Sequence, residues 1–484
     1  MDAGQIRALE PRLMDFVGRF DDCFRRRDTR EHLGVYVRGQ LSDLAQKSVE
    51  PIALKAGVAP RTLQEFLASY RWDEDSVRRR QHGIIATEHA STRSIGIIDE
   101  TSDTKKGVKT PGVQRQYCGA VGKQENCIVT VHLGYAADDF HCLVDGELFL
   151  PESWANDRER CREAGIPDTM VYRPKTTIAL ELYDRTVTHG VRYEWLTFDE
   201  WYGSKPPFLR ALEERAQKFV GEVHKDFTAW TQPPRVTERP FRRRGRGRSR
   251  RTPRVVAGGR VPLTVADMMR FHRPLREQRW KRYRIKDGEK GPMVWEIKHT
   301  LIYPKDEEGL PARPYHLIVA RNVLEATEIK YFVSNASPTA SVQTMLLVAF
   351  SRWRVERCFE DEKGELGLDH YEGRLYQGLK RHLIISAVSH LFLAKVHQDL
   401  RGEKPGVDGV PSTDGDVGGG AEYVAFGPSW CAVARTNGRG TPLDAGSTRP
   451  GAQEPHQDDT PQAALCGHPS HRPSAVPMES DLAL

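Results

Sequence analysis

Two short apolar runs restrict this chain more than anything else in it: SIGIIDET at 94–101 and YEWLTFDEWYG at 193–203. Each is rich in β-branched or aromatic residues, and each ends in an acidic pair, Asp99–Glu100 and Asp199–Glu200. Runs of this kind read as strands buried inside a sheet, with carboxylates delivered at their C-terminal ends. CIVTVHLGY (127–135), HCLVDGELFL (141–150) and KFVGEV (218–223) predict further strands. Helical patterns at 176–186 and in LRALEERA (209–216) fall between them. Strands interleaved with helices predict an α/β domain with a mixed sheet.

A third acidic element lies far downstream, in the stretch from Ala349 to His382. Its first half reads as a helix, with Val355, Phe359 and Leu366 at helical spacing and no Gly or Pro before Gly364. Arg352, Glu356, Phe359 and Lys363 stand at i, i+4, i+7 and i+11, on one stripe. By itself this is also the pattern of an amphipathic helix with ordinary ion pairs. Convergence of Asp99, Asp199 and Glu356 would place three carboxylates at one point, where they repel unless divalent cations hold them. Oxygen-only ligation suits Mg²⁺, with Mn²⁺ able to substitute. Two such ions can stabilise both the attacking and the leaving oxygen of an in-line phosphoryl displacement. The competing reading is that strand-terminal aspartates cap the turn or helix that follows. Adjacent strand residues face opposite ways, so Asp99 rather than Glu100 is the expected ligand.

Residues 1–90 read as helical. Leu9, Leu13, Phe16 and Phe20 mark one helix and Tyr36–Lys47 a second. Ile52–Ala56, a turn at Gly57 and a helix opening at Pro60 follow. Arg61, Thr62 and Gln64 at that opening fit a helix-turn-helix DNA reader, and equally two helices of a plain bundle. Charge is concentrated in RVTERPFRRRGRGRSRRTPR (235–254), which holds ten arginines against one acid, Arg242, Arg243 and Arg244 at its centre. Such a block cannot pack; it is an exposed linker or an arm for a polyanion. MVWEIKHTLIYP (293–304), YHLIVARNV (315–323) and IKYFVSNA (329–336) then predict a β-rich insert ahead of the acidic helix. Beyond 405 the chain is Gly-, Pro- and Asp-rich without periodicity and reads as a disordered or aberrant tail. The eight cysteines include no CxxC pair, which argues for reduced thiols and against a zinc site. No signal-peptide core and no long apolar window occur, so a cytoplasmic, nucleoid-associated protein is expected.

In order and content, IIDET…KKG…RQYCGAVGKQENC, PESWANDRERCREAGIP, FDEWYG, IKYFVSNA and RWRVERCFEDEKGELGLDHYEGR resemble the DDE transposases of bacterial insertion sequences. The nearest group is the insertion-sequence-701 family, within the wider insertion-sequence-4 group. The resemblance covers roughly residues 10 to 400. It implies a helical DNA-binding domain at 1–90 and an RNase H-like catalytic core at 91–230 and 336–405. An Arg-rich arm and β-rich insert at 231–335 would interrupt that core, and 406–484 would be the tail. It also implies that Asp99, Asp199 and Glu356 are catalytic and metal-binding. The partners would be double-stranded DNA, as inverted repeats and target, and a second copy in a homodimeric synaptic complex. Arg352, Glu356 and Lys363 fit the group's signature Y-x2-R-x3-E-x6-K, whereas its tyrosine position holds Ala349. Arg352 and Lys363 are the expected phosphate contacts. Lys105 and Lys106 are either further contacts or solvated loop charges. A decayed transposase that only binds DNA, or an RNase H-like nuclease outside transposition, are the alternative functions.

Overall fold

Why the two acidic strands become neighbours is visible in the sheet order. The computed structural model describes residues 3–238, 252–288 and 291–402. Its strands are β1 (Ile95–Thr104), β2 (Gln114–Cys118), β3 (Lys123–Ala137), β4 (Phe140–Leu148), β5 (Trp195–Phe198), β6 (Phe219–Val223) and β7 (Thr228–Trp230), followed by β8 (Val236–Thr237), β9 (Arg254–Val255), β10 (Leu263–Thr264), β11 (Lys281–Gly288), β12 (Gly291–Pro304), β13 (Tyr315–Asn322) and β14 (Ile329–Ser334). Twelve of them form one mixed sheet in the order β10-β7-β12-β13-β14-β6-β5-β1-β3-β2, with β11 on β12 and β4 on β3; β8 and β9 pair separately. β1, β5 and β6 run parallel, while the other pairings are antiparallel. This is the mixed α/β architecture expected from the sequence.

The parallel centre is buried on both faces. Every side chain of β5 is buried, so its run WLTF needs no alternation. Phe198 lies over Gly221 of the neighbouring β6, where a Cβ would run into the ring. Complete burial of a phenylalanine contributes about 2–3 kcal/mol, and it anchors the residue immediately before Asp199. Gly203 serves a similar close approach, since a Cβ there would strike the Glu222 carbonyl.

The insert does not form a sheet of its own. β14 pairs with β6, so its strands extend the central sheet outward. Sequence patterning missed β2, β7, β8, β9, β10 and β11, which are short or highly charged; β8 and β9 pair at the two ends of the 235–254 block expected not to pack.

The N-terminal helices are Ala3–Gly18, Arg27–Gln40, Val49–Lys55, Pro60–Ala68 and Glu74–Glu88, of which the second, fourth and fifth pack on the long helix Tyr376–Gly402. The second begins and ends earlier than the expected Tyr36–Lys47, and Lys47 is instead buried with its ammonium on the Gln40 and Ser42 carbonyls, 2.7 Å each. One apolar core runs from Leu13 through the sheet to Val396. Buried polar contacts tie the same elements: Tyr36 Oη to His382 Nδ1 at 2.9 Å, and Arg381 Nη1 to the Phe66 and Leu67 carbonyls at 3.2 and 3.0 Å. The latter satisfy carbonyls left open at a helix end.

Candidate active site

β1 and β5 are in parallel register through Ile98 and Phe198. The next residue on each is an aspartate, so Asp99 and Asp199 emerge together, about one strand spacing (~4.8 Å) apart. β1 does not end at Asp99 as expected. Its antiparallel pairing with β3 continues to Thr104, and only the parallel pairing stops there. Asp199 also caps the short helix Glu200–Gly203: its Oδ1 accepts the Trp201 and Tyr202 N–H groups, both at 3.1 Å.

The downstream acid arrives by helix docking. Helix Trp353–Asp361 buries Val355, Cys358 and Phe359 against Ile97, Ala136 and Leu143. It is not one uninterrupted helix from Ala349. A turn at Ser351–Arg352 separates it from helix Val342–Phe350, and a π-helical turn, Glu362–Leu366, absorbs Gly364. Ala349 is buried in a second apolar cluster with Trp295, Phe332 and Met345. The turn leaves Arg352 between the acids. Its Nη1 donates to Asp99 Oδ2 at 2.9 Å, and its Nη2 stands 3.0 Å from Glu356 Oε1. Asp199 and Glu222 add their negative fields to the same guanidinium.

Burial pushes the Asp99 carboxyl up to about 7; Arg352 opposes the rise and Asp199 adds to it. Glu100, on the other face, receives Lys175 Nζ on Oε1 at 2.7 Å, while its Oε2 is buried without a hydrogen-bond partner. The Tyr202 hydroxyl is likewise buried without one. Burial raises its pKa, and the fields of Glu100, Asp99 and Asp199 raise it further. Glu100 Oε2 and the Tyr202 hydroxyl are buried polar atoms of the kind an ordered water satisfies. Among the described residues, no group of three His, Cys, Asp or Glu side chains is assembled to hold a metal; Arg352 is the cation joining the acids. The donor chemistry nonetheless fits a hard divalent ion, being all carboxylate oxygen.

The remaining expected contacts are distributed differently. Lys363 Nζ donates to the Ser102 carbonyl at 2.8 Å, and Lys105 Nζ to the Asp369 and Tyr371 carbonyls at 3.1 and 2.8 Å. Both therefore fasten β1 to the segment after the acidic helix. Lys106 is exposed. Arg61 and Gln64 are exposed and Thr62 is half-buried, with Arg61 paired to Glu65 at 2.9 Å. Arg242, Arg243 and Arg244, and the tail at 406–484, lie outside the described residues. Glu200 and Glu360 are exposed, the latter paired with Arg357 at 3.2 Å. Sequence reasoning missed Lys175, Tyr202 and Glu222. Tyr202 had a signal, its place three residues after Asp199; the other two are brought in by the fold alone.

A family model described as "DDE superfamily endonuclease" matches residues 19–292, a range that holds Asp99 and Asp199. A relative from Microchaete diplosiphon, named "Probable transposase for insertion sequence element IS701", is 34% identical over 186 residues, which is 38% of this chain and 46% of the relative. The alignment thus spans less than half of that relative's length. Two aspartates delivered side by side from parallel strands, within a matched stretch that covers more than half of the chain, place it: the chain belongs to the DDE superfamily endonucleases.

Proposed function

We propose that the chain is a transposase of the insertion-sequence-701 type, in which Asp99, Asp199 and Glu356 form the active centre of an RNase H-like domain. The observation that carries this reading is that Asp99 and Asp199 follow paired residues of adjacent parallel strands, while Arg352 bonds Asp99 and stands 3.0 Å from Glu356 of the docked helix. The three carboxylates would hold Mg²⁺, two ions per site, with Mn²⁺ able to replace it. Bound ions would lower the pKa of a water or 3′-hydroxyl and neutralise the leaving oxygen. Asp99 orients through its bonds to the Glu100 amide and Arg352. Arg352 would turn from the carboxylates toward a DNA phosphate as cations take its place, a role suited to its planar fork. Lys363 and Lys105 would act by holding β1 in position. Lys106, Arg61, Thr62, Gln64 and Arg242–Arg244 would contact DNA.

The substrate on this reading is double-stranded DNA bearing the inverted-repeat ends of an element, joined by two copies of the chain and transferred to target DNA. The test is incubation of a duplex carrying its own element end with Mg²⁺. Wild type should cut the strand, and Asp99→Ala, Asp199→Ala or Glu356→Ala should bind it without cutting. Full cleavage by one of these variants removes that residue from the centre. End binding with no cleavage by wild type would favour the rival reading, a DNA-binding protein whose acids are held by Arg352.

A further inference from the structure

Beside the acids lies a surface that the reaction above does not use. Trp201 follows Asp199 by two residues, and its own N–H is one of the two that Asp199 accepts. A tryptophan is normally worth burying, yet this one is 42% exposed. Two ammonium groups flank its ring: Lys205 Nζ is 5.0 Å and Lys175 Nζ 5.4 Å from the centroid. Lys175 also lies 5.4 Å from the Phe149 ring, and Phe149 meets Tyr172 edge-on at 6.1 Å. Tyr172 is 42% exposed as well. Lys175 thus bridges the Trp201 ring to the Phe149–Tyr172 pair, and Lys205 stands on Trp201 alone. Lys175 is shared with Glu100, whereas Lys205 is exposed and has no carboxylate at ion-pair distance among the described residues.

We propose that Trp201, Tyr172, Lys175 and Lys205 form a stacking track for unpaired nucleotides of the DNA strand handled at Asp99 and Asp199. The proposal rests on the DNA reading of the adjacent site. Exposed rings take the faces of unstacked bases, and interleaved lysines take the phosphates between them. A duplex offers no free base faces to such a row, so the track distinguishes a frayed or single-stranded end from paired DNA. The row starts two residues after Asp199 and shares Lys175 with Glu100, so the nucleotides it would order lie on the Glu100 side of the strand ends.

The experiment uses the full chain and two fluorescein-labelled probes: a paired duplex, and the same duplex with a short single-stranded thymidine extension. Affinities are read by anisotropy without divalent cation, so that no strand is cut. Wild type should prefer the extended probe, and Trp201→Ala should reduce that preference on the order of tenfold. Trp201→Phe, which keeps a π-face, should retain most of it. Lys205→Gln should lower the salt dependence on the extended probe by about one counterion. Melting followed by circular dichroism checks that the half-exposed positions leave the fold intact. An unchanged preference in Trp201→Ala overturns the track while the DNA reading stands. A loss of self-association in Trp201→Ala without a change in preference assigns the ring to a contact between copies and also overturns it. Failure of wild type to bind either probe overturns the DNA reading itself.

Discussion

Asp99 and Asp145 are the same residue type on nearby strands of one sheet, both buried, and their surroundings treat them in opposite ways. Asp99 has one cation, Arg352, shared with Glu356, and a second aspartate beside it, so its carboxyl is pushed up to about 7. Asp145 is also penalised by burial, but Arg78 and Arg185 outweigh the penalty and hold it well below the usual carboxylate range. Their contacts are Arg78 Nε at 3.2 Å and Arg185 Nε at 2.6 Å. Asp145 thereby joins helices Glu74–Glu88 and Lys175–Thr188 to β4. A buried acid whose charge is fully balanced is a structural tie. One left short of positive charge is prepared to receive it from outside.

That contrast can be broken most directly by activity. Asp99→Asn should reduce strand cleavage by a factor of about a thousand or more, whereas Asp145→Asn in folded protein should cleave at a rate near wild type. Equal losses in a single-turnover cleavage assay would erase the functional distinction. Stability should rank the pair the other way. Asp145→Asn takes from buried Arg78 its buried counter-charge, leaving it only the exposed Asp75, and should cost about 3 kcal/mol in urea unfolding. Asp99→Asn, which removes a charge the site does not balance, should change stability by less than about 1 kcal/mol.

Acid sharpens the comparison further. A carboxyl depressed in the folded state stabilises above its unfolded pKa, near 3.9, and that contribution is lost as pH falls below it. Wild-type stability should therefore drop steeply below about pH 4, and Asp145→Asn should show a shallower slope there. An identical slope would mean that Asp145 is not the group titrating. The smallest effect is expected at the exposed helix of the N-terminal region. Arg61→Ala should shift stability by no more than about 0.5 kcal/mol, its pair with Glu65 being largely solvated. It should still weaken DNA binding if that helix touches the duplex; unchanged affinity on a filter-binding assay would assign it to the bundle alone.

The two acidic strands could be read directly because complete burial removes alternation and leaves an unbroken apolar run, and a carboxylate at the end of one stands out. The acidic helix was legible for the matching reason, its 3.6-residue spacing, although the turn at Ser351–Arg352 was not. Nothing local marks that turn. It follows from helix Val342–Phe350 packing on β5, β6 and β11 while Trp353–Asp361 packs on β1 and β4. Short or charged strands such as β2 and β11 also left no pattern, since cross-strand pairing rather than composition makes them strands.

By itself, then, the sequence determined the element types and the mixed α/β class, and it singled out the three acids proposed for the centre, because periodicity and residue chemistry are local properties. Tertiary structure alone decided that Asp99 and Asp199 stand one strand apart, that Arg352 joins Asp99 to Glu356, and that Lys363 and Lys105 point inward onto carbonyls. It also decided that Trp201 is left outside with Lys205. Those are matters of distance and of the balance between burial and counter-charge, and both come into existence only when segments far apart in the chain are packed together.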